Sequence, residues 1–152
     1  MNSSQKLRIA VAVALALAAC GKKEEAKTST APPAAPAGTT VTIAHAGPLT
    51  GSIAHLGKDD ENGVALAIAQ ANDRKISIGG QPVTFKMQSE DDQADPKTGA
   101  TVAQKLVDAK VAAVIGHLNS GVTIPASEIY AKAGIPVISG SATNPALTER
   151  GL

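Results

Sequence analysis

Aromatic residues are almost absent from this chain. Its 152 residues include one phenylalanine, one tyrosine and no tryptophan, although 43% are hydrophobic. A core would therefore be built from Ala, Val, Leu and Ile. The net charge is only +1. Nucleic-acid binding would require a basic stripe interleaved with aromatic residues, and the sequence has none. We therefore predict no nucleic-acid partner.

Cysteine is equally scarce, because Cys20 is the only one and no intrachain disulfide can form. It follows a segment typical of an export signal, since residues 1–19 join a basic start to an apolar run too short to span a bilayer. The sequence Leu17-Ala18-Ala19-Cys20 resembles a bacterial lipobox. This predicts a lipoprotein-type signal peptide at 1–19 and a lipid anchor on Cys20. An ordinary secretory peptide cut nearby is the alternative.

The mature chain should accordingly begin with a diacylated Cys20. Two acyl chains retain a protein stably at a membrane, whereas a single chain binds only reversibly. Mass spectrometry of the purified mature N-terminus tests this prediction. An unmodified terminus at any other residue would contradict it.

Residues 20–40 have the composition of a tether. They mix lysine, glutamate, proline and small residues and contain no large apolar side chain. Such a segment cannot offset its ordering entropy by burial, which predicts a disordered spacer. The folded domain is then expected at 41–152.

Two apolar runs indicate the organisation of that domain. Val111–Ile115 and Ile135–Ile138 are rich in branched residues and predict buried parallel strands joined by a helix. Such a unit is right-handed, so the loops after both strands meet at one sheet edge, where open α/β sheets bind ligands. These loops, Gly116–Gly121 and Ser139–Thr143, are small and rich in hydroxyls. Ser120 is placed to cap the helix, whose N-terminus favours an anion such as a carboxylate.

The remaining patterns complete a doubly wound α/β domain with a parallel sheet. In order, they predict a strand at Val41–Ala46, a loop at Gly47–Gly57, a helix opened by the acidic run at Asp59–Gly63, strands at Ile76–Ile78 and Gln81–Ser89, and a helix that starts at Asp95–Pro96.

Catalytic and nucleotide-binding motifs are missing. Gly51–Lys58 resembles a Walker loop, but it is one residue too long and Asp59 stands where Ser or Thr is required. No Gly-x-Ser-x-Gly elbow occurs, and local sequence fixes no base beside Ser120 or Ser141. We predict that the protein is not an enzyme and uses no cofactor.

Metal binding is not indicated either. The carboxylates that follow the predicted strand at Gln81–Ser89 lack calcium-loop spacing. The three histidines lack metal-ligand spacing. We predict that the carboxylates cap turns and helices and that no metal is bound. His117 is expected to be a structural hydrogen-bonding residue at the floor of the site, with ligand contact as the alternative. The carboxylates are Glu90, Asp91, Asp92 and Asp95, and the histidines are His45, His55 and His117.

Four successive segments carry a family resemblance: Val114–Ser120, Pro125–Tyr130, Gly134–Ser139 and Ala142–Thr148. Together they resemble the branched-chain amino acid binding proteins, the periplasmic receptors of ABC importers. The resemblance implies the N-terminal lobe of a type I periplasmic binding fold, whose members close two lobes on a ligand. We expect this chain to be a fragment without the second lobe.

The resemblance also implies roles for individual residues. Ser120 and Thr143 would hold the ligand carboxylate, while the Ser141 carbonyl and the Thr143 hydroxyl would accept from its ammonium group. Ala142 would form a backbone wall. Leu56 matches a position where relatives often place an aromatic residue against the ligand side chain, and this departure leaves the ligand open.

The implied function is that of a periplasmic receptor that binds branched-chain or related amino acids and delivers them to a membrane permease. A receptor for amides, urea or carboxylates, or a ligand sensor on the same fold, is the alternative. A purely structural envelope lipoprotein would not need paired hydroxyl-rich loops at one sheet edge.

Overall fold

The computed structural model describes residues 38–152. The predicted signal peptide, Cys20 and nearly all of the predicted tether lie outside this range. Strands and helices alternate along it: β1 (Thr39–Gly47), α1 (Ala54–Asp73), β2 (Ser77–Ile78), β3 (Gln81–Asp91), α2 (Pro96–Asp108), β4 (Ala113–Gly116), α3 (Ser120–Lys132), β5 (Val137–Ile138) and a short 3-10 helix (Pro145–Leu147).

One five-stranded sheet organises the domain, in the order β2-β3-β1-β4-β5. β1 is parallel to both β3 and β4, and β4 is parallel to β5, whereas the two-residue β2 is antiparallel to β3. The predicted α/β fold with a parallel sheet is confirmed. The strand order reverses at β1, so the carboxyl ends of β1, β4 and β5 lie at the edge where such folds bind ligands.

Helices cover both faces of the sheet. Ala44 of β1 and Val114 of β4 are fully buried in a core that includes Leu106 of α2 and Tyr130 of α3. The next residue back along β1, Ile43, points to the opposite face and lines a groove with α1. Burying a side chain the size of Leu106 contributes about 1.5–3 kcal/mol, so an aliphatic core suffices despite the scarcity of aromatics.

The side chain of Asn72 fixes α1 to β3. Its amide donates to the Phe85 carbonyl at 2.9 Å, and its oxygen accepts from the Phe85 amide at 2.8 Å. This pair of bonds joins the C-terminal turn of the helix to the middle of the strand. It therefore sets the position of the whole helix on its face of the sheet.

α1 starts at Ala54, so the predicted loop at Gly47–Gly57 and the predicted helix start at Asp59 were wrong. Gly57 misled the prediction, because it is a packing residue rather than a loop residue. A Cβ at this position would lie 2.1 Å from the Pro48 carbonyl oxygen. The acidic run consequently falls in the second turn of the helix, away from the positive end of its dipole.

β4 and β5 are shorter than predicted, for two local reasons. The Val111 amide donates to the Leu106 carbonyl and closes the end of α2, which delays the start of β4. Pro136 has no amide to donate, and only its carbonyl joins the ladder, where it accepts from the Val114 amide at 3.0 Å. Regular pairing of β5 with β4 therefore begins at Val137.

Within residues 38–152, no helix combines the length and the apolar character needed to cross a membrane.

Candidate functional site

A cleft of about 660 Å³ opens at the carboxyl edge of the sheet. Three segments meet there: the start of α1, the β4–α3 loop (residues 117–119) with the first residue of α3, and the post-β5 loop (residues 139–143). The lining residues are Leu56, Asp59, Asp60, Leu118, Asn119, Ser120, Gly140, Ser141 and Thr143.

The cleft brings together four of the five residues predicted to contact ligand. Leu56, Ser120, Ser141 and Thr143 all line it, and Leu56 is 47% exposed. Ala142 lies between two of these residues in sequence but lines a neighbouring cavity on the other side of the loop. Its side chain therefore does not line this cleft.

Hydrogen bonds join the two loops of the cleft. The Ser139 hydroxyl donates to the His117 carbonyl at 2.7 Å, and the Ser141 hydroxyl donates to the Leu118 carbonyl at 2.6 Å. Both carbonyls belong to the β4–α3 loop, so these two bonds fix the position of the post-β5 loop relative to it. Ser139 is not among the residues predicted to form the site, because its bond to His117 joins residues 22 positions apart in sequence.

The remaining polar groups point to a carboxylate site. The Ser120 hydroxyl accepts from the Asn144 amide at 3.2 Å, so its own proton remains free to donate. Thr143 is exposed, and its hydroxyl is not used in the bonds that join the loops. Two hydroxyl donors thus face the cleft beside the N-terminus of α3, where the helix dipole favours an anion.

Ser120 is not the cap of α3, contrary to the prediction. The cap position is Asn119, which has an extended backbone and whose side chain makes no capping bond. The Asn119 carbonyl accepts from the amides of Val122 and Thr123, so the helix begins one residue earlier than predicted. Ser120 becomes the first helical residue, and its side chain is available to the cleft.

His117 is a structural residue, as predicted. Its ring is fully buried, with Nδ1 2.7 Å from Asp92 Oδ2 and Nε2 3.1 Å from the Tyr130 hydroxyl. A carboxylate only accepts, so Nδ1 carries the proton. Burial raises the pKa of Tyr130 and Asp92 raises it further, so the phenol stays protonated and donates to Nε2. Both ring nitrogens of His117 therefore have hydrogen-bond partners, and the ring lies beneath the cleft rather than in it.

Three of the four carboxylates at the end of β3 and just after it, Asp91, Asp92 and Asp95, stabilise turns and helix ends as predicted, whereas Glu90 pairs with Lys105 of α2. Asp91 accepts from the Leu49 amide at 2.8 Å and the Thr50 hydroxyl at 2.6 Å, which fixes the loop after β1. Burial alone would raise the pKa of Asp91, but the hydrogen bonds it accepts hold that pKa below its ordinary value. Asp95 caps α2 by accepting from the Thr98 amide at 2.8 Å. Across the described part of the chain, no three His, Cys, Asp or Glu residues are grouped so as to hold a metal ion.

Asp59 and Asp60 are cleft residues that were not among the predicted ligand contacts. The predicted helix start at Asp59 lies five residues after the observed start of α1 at Ala54, and at that predicted start these side chains would be partners of the helix dipole. In the structure they belong to the second turn of α1 and line the cleft opposite the loops. The wall formed by α1 therefore combines the apolar Leu56 with two carboxylates.

Residues 40–151 match the family model described as "Periplasmic binding protein". The chain therefore belongs to the periplasmic binding protein family, and its fold is the predicted type I periplasmic binding fold. Members of this family bind solutes and are not enzymes, in agreement with the prediction from sequence.

Individual relatives are similar over a limited length. Leu/Ile/Val-binding protein homolog 2 of Brucella abortus is 49% identical over 105 residues, which is 69% of this chain and 28% of the relative. A branched-chain amino acid transporter substrate-binding protein of Streptococcus pneumoniae, solved in complex with isoleucine, is 33% identical with a TM-score of 0.66, over 74% of this chain and 32% of that one. A solute-binding protein of Rhodopseudomonas palustris, solved with 3,4-dihydroxybenzoic acid, is 27% identical with a TM-score of 0.63, over 73% and 30%. The chain thus spans about a third of the length of its relatives.

Proposed function

We propose that this chain forms part of an extracytoplasmic solute receptor of an ABC importer. The receptor binds a branched-chain or related amino acid between two lobes and delivers it to a membrane permease. The observation that carries the proposal is the convergence of Leu56, Ser120, Ser141 and Thr143 on one cleft at the carboxyl edge of the sheet. The similarity to Leu/Ile/Val-binding proteins and to an isoleucine complex supports this ligand class.

The polar groups of the cleft suit the head group of an amino acid. The hydroxyl groups of Ser120 and Thr143 donate hydrogen bonds to the ligand carboxylate, which lies at the N-terminus of α3. The Ser141 hydroxyl is committed to the Leu118 carbonyl, which leaves the Ser141 carbonyl as the acceptor for the ammonium group. Leu56 then faces the ligand side chain, with Ala142 contributing backbone only.

A receptor for a carboxylic acid or amide is the second candidate. It is favoured by Leu56, because an aliphatic residue on the cleft wall does not itself select a branched side chain. The Rhodopseudomonas relative was solved with an aromatic acid that has a carboxylate and no ammonium group. Such a ligand would use Ser120 and Thr143 in the same way.

The proposed receptor acts in the periplasm. Family membership supports this location, and we propose that diacylated Cys20 tethers the domain to a membrane through the segment that precedes β1, which begins at Thr39 rather than at the predicted Val41. A tether of this composition would allow the domain to reach the permease while remaining at the membrane surface.

Isothermal titration of the full-length protein distinguishes the two candidates. Leucine, isoleucine and valine are titrated beside 4-hydroxybenzoate, urea and an aliphatic amide. We expect saturable binding of the three amino acids and little binding of the others. Binding of the acid, urea or the amide in the absence of amino acid binding would replace the first candidate with the second.

A further inference from the structure

The edge of the sheet opposite the cleft carries four exposed cations. The parallel strands β1, β3, β4 and β5 begin at this edge, the amino edge, and α1, α2 and α3 end there. Arg74 and Lys75 follow α1, Lys110 comes just after α2, and Lys132 ends α3. All four side chains are exposed, and within residues 38–152 none of them forms an ion pair. Their charges are therefore available to a partner.

The backbone at two of these cations is of a kind that favours glycine. Lys75 has a φ of 49° and Lys110 a φ of 56°, both in the left-handed region that side chains rarely adopt. Glycine is the usual residue at this place after a helix, and Gly134 occupies it after α3 with a φ of 70°. The helix dipole favours a cation there. An exposed lysine at such a position can also contact a negatively charged partner.

An exposed apolar side chain lies at the same edge. β2 and β3 are joined by a turn at Gly79 and Gly80, which lies at the amino end of β3. Ile78, the last residue of β2, is 60% exposed. Cations beside an exposed large apolar residue are typical of surfaces that rest on lipid. The cations attract anionic head groups, and the apolar side chain enters the boundary between head groups and acyl chains.

Acidic residues do not neutralise the amino edge. Asp73 and Asp108, both exposed, end α1 and α2 there, so two carboxylates face four cations. The carboxylates of the cleft, such as Asp59 and Asp60, lie at the other end of the strands. β1 has nine residues, which places the two edges roughly 30 Å apart. Because this is several times the Debye length of about 8 Å, the cleft carboxylates hardly weaken attraction at the amino edge.

The chain enters the domain at the amino edge as well. β1 begins there at Thr39, so the segment that precedes it joins the domain beside the cations. A protein tethered to a bilayer meets that bilayer at a high effective concentration. A weak lipid-binding surface next to the point of attachment is then sufficient to orient the domain.

We propose that the amino edge binds an anionic lipid surface through its four cations, with Ile78 entering the head-group boundary. This inference rests on the proposed function, namely that the receptor is tethered to a membrane. The cleft lies at the opposite end of the same strands, so it points away from the bilayer in this orientation. The tethered receptor thereby keeps its cleft open to solutes while it rests on the lipid.

The test uses the full-length mature protein with Cys20→Ser, so that no acyl chain contributes to binding. It is sedimented with vesicles of phosphatidylethanolamine and phosphatidylglycerol, and separately with neutral phosphatidylcholine vesicles. We expect binding to the anionic vesicles only, with an affinity that falls as salt is added. Each cation near an anionic surface contributes roughly fivefold. Replacing all four with glutamine should therefore weaken binding by roughly several hundredfold.

Single substitutions locate the binding surface. Lys110→Gln and Lys97→Gln remove the same charge from exposed positions at opposite ends of α2. Lys110→Gln should weaken binding roughly fivefold, whereas Lys97→Gln should change it little. Ile78→Ser should also weaken binding, because it removes the apolar contact. These side chains are exposed, so the variants should fold, and the fourfold variant should bind leucine as the unsubstituted protein does.

Three results would overturn this inference. The first is no binding of the Cys20→Ser protein to anionic vesicles, and the second is unchanged binding in the fourfold variant, which would leave an acidic protein as the remaining partner for this edge. The third is an equal loss in Lys97→Gln and Lys110→Gln, because net charge alone would then explain binding. Failure of the proposed function has a different readout, since it appears as absent solute binding in titration whatever the vesicles show.

Discussion

Replacing Thr143 with alanine in the full-length protein should weaken leucine, isoleucine and valine by similar factors of roughly ten to a hundred. Removing a hydrogen bond to a charged group costs about 1.5–3 kcal/mol, which corresponds to that range of affinity. The three amino acids share a head group and differ only in the side chain, so their ranking should persist. Isothermal titration of wild type and variant with each amino acid measures both quantities.

Two further variants act as controls for Thr143→Ala. Thr148→Ala makes the same chemical change at an exposed threonine that lines the neighbouring cavity, and it should leave all three affinities unchanged. Leu56→Ala should instead alter the ranking of the amino acids, because Leu56 lines the cleft and is the residue that we propose faces the ligand side chain. Unchanged affinities in Thr143→Ala would show that the post-β5 loop does not hold the head group.

Replacing His117 with leucine should lower the free energy of unfolding of the full-length protein by about 3–5 kcal/mol, the usual cost of removing one partner of a buried pair. Asp92 and His117 are both fully buried and are 2.7 Å apart. The substitution leaves the Asp92 carboxylate buried without its partner. Urea denaturation of wild type and variant measures the difference.

Tyr130→Phe is the matched control for this prediction. It removes only the hydroxyl that lies 3.1 Å from His117 Nε2, and it keeps the ring in the core. The loss should be about 1 kcal/mol, as for a single neutral hydrogen bond. If His117→Leu destabilises the protein no more than Tyr130→Phe does, then the Asp92–His117 pair does not stabilise this domain as we describe.

A helix start that depends on a few adjacent residues was predicted correctly from the sequence. Asp95 and Pro96 start α2 because a capping carboxylate followed by proline is sufficient within one turn. The convergence of Ser120, Ser141 and Thr143 was also predictable, since a parallel strand-helix-strand unit places both of its loops at one edge.

Features that depend on distant contacts could not be predicted in this way. Gly57 has the composition of a loop residue, yet its backbone packs on Pro48 and the helix passes through it. The bond from Ser139 to the His117 carbonyl joins residues 22 positions apart. Asp60 lies beside His45 because α1 packs against β1. No local sequence pattern predicts this contact between the two residues.

A crystal structure of the full-length protein with bound leucine tests the central claim most directly. We expect the leucine carboxylate within hydrogen-bonding distance of the Ser120 and Thr143 hydroxyls, with the side chain towards Leu56. Leucine bound away from this cleft, or with its carboxylate turned away from the N-terminus of α3, would contradict the assignment of the cleft as the head-group site.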